Sequence, residues 1–124
     1  MANSSNTFHS KGTRIFHGHA GAAIAICRLV QREATTGDLI ACASGARPVG
    51  VSPVTYADGD DANYHRGGIA SVETDGSAAV GEFVKAAADG SGKGIKDSSP
   101  TYITAGVLVT LDATTNIGDV ELFF

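Results

Sequence analysis

Residues 37–51 read GDLIACASGARPVGV, and residues 81–95 read GEFVKAAADGSGKGI. Each opens on Gly, an acid and two apolar residues, passes through small residues, and closes on Gly with a β-branched residue. Gly37, Gly50 and Val51 match Gly81, Gly94 and Ile95 at one constant offset, and the phrase begins again as GDVELFF at 118–124. The first glycine lets the chain swing sharply into a strand, the acid beside it faces water, and the following residues alternate inward and outward. Each full copy therefore predicts a strand–turn–strand hairpin, and repeated hairpins predict a sheet or small barrel.

The text on either side has the same grammar. After GDLIACA and the turn SGAR, residues 48–57 (PVGVSPVTYA) predict a return strand, edge or irregular because of Pro48 and Pro53. DGDDANYHRGG (58–68) reads as a polar loop, IASVET (69–74) as a strand, and DGS as an Asp-Gly turn. GEFVKAA, a glycine-rich loop and a short IKD follow, and the last stretch places two strands about DATTN (112–116). RIFHGHAGAAIAICRLVQREA (14–34) is ambiguous, but Ile24, Ile26 and Val30 alternate with smaller residues, which favours strand over helix. No amphipathic helix of twelve residues appears after position 35, so the expected class is all-β, a single β-sandwich or barrel-like (tulip-like) domain. Residues 1–14, polar and without periodicity, are expected to form a flexible N-terminal arm on a domain spanning 15–124.

Composition narrows the function. A chain of 124 residues fits one domain, and 43% hydrophobic residues suffice for a packed core. Sixteen glycines without a collagen period imply many tight turns and hence many short strands. Net charge of −4 argues against a nucleic-acid binder held by phosphate neutralisation. The opening residues lack the apolar run of a signal peptide, and AGAAIAIC (20–27) is too short to span a bilayer, so a soluble protein made in a cytoplasm is expected. Cys27 and Cys42 form no CxxC pair and are too few for a disulfide framework, which predicts two buried, reduced thiols.

No motif carries chemistry. His17 and His19 could join His65 around a metal, but no Cys or acid stands at ligand spacing, and solvated histidines are the simpler expectation. The acids of DGDD (58–61) lack the alternating ligands and closing Glu of a calcium loop. DGSGKG (89–94) resembles a phosphate loop superficially, yet Ala87 and Gly94 stand where Gly and Ser or Thr are needed. Nothing like GxSxG occurs. His65 and Arg66 beside DGDD form the best polar candidate, expected as an exposed loop or subunit contact rather than a reaction centre. No enzyme, cofactor or metal is expected.

Taken in order, RLVQ, TTGDLIACASGARPVGVSP, the polar loop, GGIASVETDGSAAVGEFVKAAADGSGKGI and AGVLVTLDATTNIGDVELFF resemble the head decoration (capsid cement) proteins of tailed bacteriophages. The likeness covers roughly residues 28–124 and rests on Val49-Gly50-Val51, Asp58 to Asp61, Gly68 to Val72, Gly81 to Val84 with Asp89-Gly90, and Gly118 to Phe124. It implies a β-rich domain, often trimeric, that binds the outer surface of an assembled head, bridges major capsid protein subunits and stabilises the shell. The partners implied are the major capsid protein and further copies of the chain, with no nucleic acid and no membrane, and the location is the outer capsid surface of the virion. Contact with capsid or subunit is expected at Phe8, Lys11, Arg14, Phe16, Asp60, Tyr64, His65, Arg66, Phe123 and Phe124. The arm could add a strand to a neighbour's edge, and two terminal Phe are costly to leave in water. The rival reading is a virion-surface carbohydrate- or receptor-binding module using 58–68 as its tip, with only Tyr56 and Tyr64 as nearby aromatic platforms.

Overall fold

The computed structural model describes residues 8–43 and 45–124, and these form strands and turns with no helix. Its organising feature is one long ribbon. β1 (Ser10–Lys11) pairs with β7 (Ile69–Glu73), β2 (Arg14–His19) with β6 (Asp61–Arg66), and β3 (Leu29–Arg32) with β5 (Gly50–Val51), all antiparallel. Across the three ladders the partner's number falls by one for each residue gained: Ser10 faces Ala70, Arg14 faces Arg66, His19 faces Asp61, and Val30 faces Gly50. The irregular middle keeps the same register through the Ile24–Tyr56 bridge and the Ser52 N–H donating to the Arg28 carbonyl. Residues 10–30 and 50–70 are thus the two arms of a single wound hairpin. Its tip carries β4 (Leu39–Ala41), which folds back on β3.

The remaining strands are β8 (Phe83–Ala86), β9 (Gly94–Lys96), β10 (Gly106–Asp112) and β11 (Ile117–Leu122). They complete a six-stranded sheet, β1-β7-β11-β10-β8-β9, against a five-stranded sheet, β2-β6-β5-β3-β4, with antiparallel neighbours throughout. The expected all-β class holds, and the architecture is a sandwich. The main core lies between the sheets, where Leu29 and Val51 from one meet Val72, Val84, Leu108 and Val120 from the other. A second core lies on the opposite face of the five-stranded sheet. There Val30, Leu39, Ala62 and Tyr64 are covered by Ala20, Ile24 and Tyr56 from the ribbon's irregular middle. Successive residues of a strand point to opposite faces, so Leu29 and Val30 serve different cores, and each fully buried side chain contributes about 1.5–3 kcal/mol.

The repeated phrase has a physical reason at both ends. Gly37 (φ 75°) and Gly81 (φ 90°) turn the chain in the left-handed region. Gly50 and Gly94 sit in strands where a Cβ would run into Tyr64 and Val84 respectively. Only the second copy is a hairpin, β8 paired with β9; in the first, β4 and β5 flank β3 and do not touch one another. In the third, Gly118 lies inside β11 and Asp119 is buried rather than facing water. The structure also corrects the polar loop, because 61–66 is the strand β6, and the 48–57 return strand, of which only Gly50–Val51 is extended. The ambiguous 14–34 segment is two strands, β2 and β3, around an irregular stretch.

Cys27 and Cys42 are unpaired and buried, as expected. Burial pushes the Cys27 thiol up to about 12, with Glu73 adding to it, and the Cys42 thiol up to about 11.

Candidate functional site at the sheet corner

The ribbon begins in the six-stranded sheet and crosses into the five-stranded one between β1 and β2, and again between β6 and β7. Strands that switch sheets need a sharp bend, supplied here by Gly12 (φ 71°), Gly67 (φ 72°) and Gly68 (φ 58°). A Cβ on Gly68 would collide with the Lys11 carbonyl and with Gly12, so the two arms meet backbone to backbone. Residues 8–14, assigned above to the arm, therefore include a strand of the sheet, β1, and the first residue of β2. The expected arm over residues 1–7 lies outside the described residues.

Eight of the ten expected contact residues gather at this corner. Phe8 packs on the main core, and its ring lies 4.8 Å from that of His65. His65 Nδ1 is 2.8 Å from Thr13 Oγ1, and burial lowers its pKa below the usual 6.5. Arg14 and Arg66 are directly opposite on β2 and β6, and the Arg66 guanidinium lies 5.4 Å over the Phe16 ring. Phe16 stacks at 5.7 Å on Tyr64, whose other neighbour is the Arg32 guanidinium at 5.3 Å. Arg32 also donates to the Tyr64 hydroxyl (3.0 Å) and to the His17 carbonyl (3.2 Å). The result is a stack running Arg32, Tyr64, Phe16, Arg66, in which Tyr64 is buried and Phe16 is the exposed aromatic member. Phe124 packs against the main core, and its carbonyl accepts from the Gly67 N–H. Lys11 stands on the adjoining face.

Two expected residues lie elsewhere. Asp60 is at the far end of β6, where its carboxylate accepts from the Ala57 N–H, so DGDD is not beside His65 and Arg66. Phe123 is exposed on the outer face of the six-stranded sheet, 6.1 Å from Phe83. Strand alternation in GEFVKAA and VELFF was the signal that could have put these two aromatics on one surface.

Beside Lys11 the same outer face carries a shallow cavity of about 340 Å³ lined by His9, Ser10, Lys11, Ile69, Val109 and Asp119. Its polar floor is tied up internally. Asp119 accepts from the Ser71 hydroxyl (3.3 Å) and the Thr110 hydroxyl (2.9 Å), and the His9 N–H donates to Ser71 Oγ (2.9 Å). Those bonds hold β1 against the sheet.

The three histidines do not converge. His17 Nδ1 is 2.6 Å from Asn63 Oδ1, His19 Nδ1 is 3.6 Å from Asp38, and His65 turns to Thr13. Among the described residues no group of three or more His, Cys, Asp or Glu could hold a metal ion. What the corner presents is a set of cations, an exposed aromatic and a sheet edge.

No protein-family model matches the chain, and no curated protein matches it. Among solved structures it is similar to the crystal structure of the head fiber gp8.5 N base in bacteriophage phi29, at a TM-score of 0.71 and 14% identity. The match covers 89% of this chain and 93% of that one. The two chains share a fold over almost their whole lengths.

Proposed function

We propose that the protein is a structural component of a phage head: it attaches to the outer surface of the assembled shell, bridges major capsid protein subunits and stabilises them. The observation that carries this reading is the shared fold with a head fiber base. The repeated phrase and its likeness to decoration proteins, read from the sequence alone, point to the same surface. A protein of this kind needs no reaction centre. It needs a stiff body and several copies, and a homotrimer would supply both. Binding that spans two or three coat subunits makes the later contacts intramolecular, so modest interfaces sum to firm attachment.

The rival carbohydrate- or receptor-binding reading relied on 58–68 as a free tip. With 61–66 built into β6 and Tyr64 buried, that tip shrinks to a short turn about Gly59. Co-sedimentation with undecorated expanded heads and with unexpanded precursors tests the proposal. Saturable binding to expanded heads is expected, and absence of binding to either form would overturn it.

A further inference from the structure

The chain is acidic overall, at −4, yet its corner concentrates unpaired positive charge. Arg14 and Arg66 are cross-strand partners on one face of the ribbon, where two like charges directly opposite destabilise the pairing. Among the described residues neither forms a salt bridge; the ion pairs lie at Arg28–Glu73, Lys93–Glu73, Lys96–Glu82 and His19–Asp38. Among the described residues the contact of the Arg66 guanidinium is with the Phe16 ring. Two opposed cations that no described residue pairs are open to an anion from outside the chain.

Position adds a second argument. Among the described residues β2 is an edge strand, paired with β6 alone. Ala20 donates to Asp60, and counting back by twos puts Gly18, Phe16 and Arg14 in the pairs that exchange bonds with β6. The backbone groups of Ile15 and His17 then face the open side. Arg32 occupies the His17 carbonyl and so closes that end, while among the described residues the edge beside Ile15 stays open. Ile15, 57% exposed, and Phe16 flank it with apolar surface.

We propose that this edge receives an extended acidic segment of the shell protein, its backbone adding to β2 at Ile15 and its carboxylates bridging Arg14 and Arg66. The inference rests on the attachment reading above and names the chemistry of the partner. Carboxylates held by two guanidiniums form charge-assisted bonds with fixed geometry, and strand addition supplies the register.

The test uses the full chain and expanded heads, with binding measured by co-sedimentation at several salt concentrations. R14E/R66E is expected to weaken binding at least about tenfold near 0.1 M salt and to flatten its salt dependence. R47E/K85E, an equal charge change away from the corner, is expected to bind as wild type does. R14Q separates recognition from folding: removing one of two opposed cations should hold or raise the melting temperature while lowering head affinity. Wild-type binding with an undiminished R14E/R66E variant would overturn this inference and leave the attachment reading standing. Lowered stability of R14Q with unchanged binding would overturn it too, because the pair would then serve the fold. Loss of self-association in R14E/R66E with head binding per copy intact would assign the edge to a second copy instead. Failure of the wild type to bind any head overturns both readings.

Discussion

Gly68 and Gly81 both adopt positive φ, yet the space around them differs. A Cβ on Gly68 would meet the backbone of Lys11 and Gly12, whereas one on Gly81 meets nothing within 4 Å. Gly81→Ala should therefore cost only the left-handed strain, about 1–2 kcal/mol. Gly68→Ala adds a backbone clash at the corner and should cost clearly more; urea melts of the two variants check the order. The thiols give another residue-scale outcome. With pKa values pushed up to about 12 and about 11 inside the core, Cys27 and Cys42 should resist a thiol reagent at pH 8 until the protein unfolds. His65 sets a pH dependence. Its folded pKa lies below the usual 6.5, so the folded state binds fewer protons than the unfolded chain. Its contribution is fully present above about pH 6.5 and is lost as pH falls through the lower folded value. Thermal melts from pH 7.5 to 5 should show a decline that is smaller in His65→Gln.

At the scale of elements, the ribbon is the unit that builds the fold, and it was only partly legible in the sequence. Short strands marked by glycine, DG turns and alternation were readable because they depend on neighbours in the chain. That is why β7, β8, β9, β10 and β11 fall where the text places them. The register that pairs 10–30 with 50–70 was not readable, because it depends on contacts between residues far apart in the chain, from Val30–Gly50 at the tip to Ser10–Ala70 at the base. DANYHR looked like loop for the same reason. Its polar residues Asn63 and His65 are matched by His17 and Thr13 across the ladder, and alternation is visible only once Ala62 and Tyr64 are known to face a core. The candidate corner was half legible: the residue types were picked out one by one, but their meeting follows from the bends at Gly12, Gly67 and Gly68. Removing residues 1–12 would strip β1 from β7 and Phe8 from His65. The truncated protein should melt lower than wild type, and an unchanged melting curve would show that β1 contributes nothing to the body.

For the whole molecule, a sandwich with a second core on the outside of one sheet is a stiff object with little need of moving parts. Inside, Asp119 accepts hydroxyls and the thiols are held neutral, while Arg28 Nε is buried without a hydrogen-bond partner among the described residues. On the outside, among the described residues, lie the opposed arginines, the open edge at Ile15 and the exposed Phe83–Phe123 pair. That outer surface is what the proposed attachment would use. A ligand that binds the assembled shell and not its separated subunits must stabilise the assembly in proportion to its binding. The most direct measurement is the calorimetric melting of expanded heads with and without saturating protein. The account predicts that the shell's transition moves to higher temperature as occupancy rises, and a transition that stays in place on fully occupied heads would contradict it.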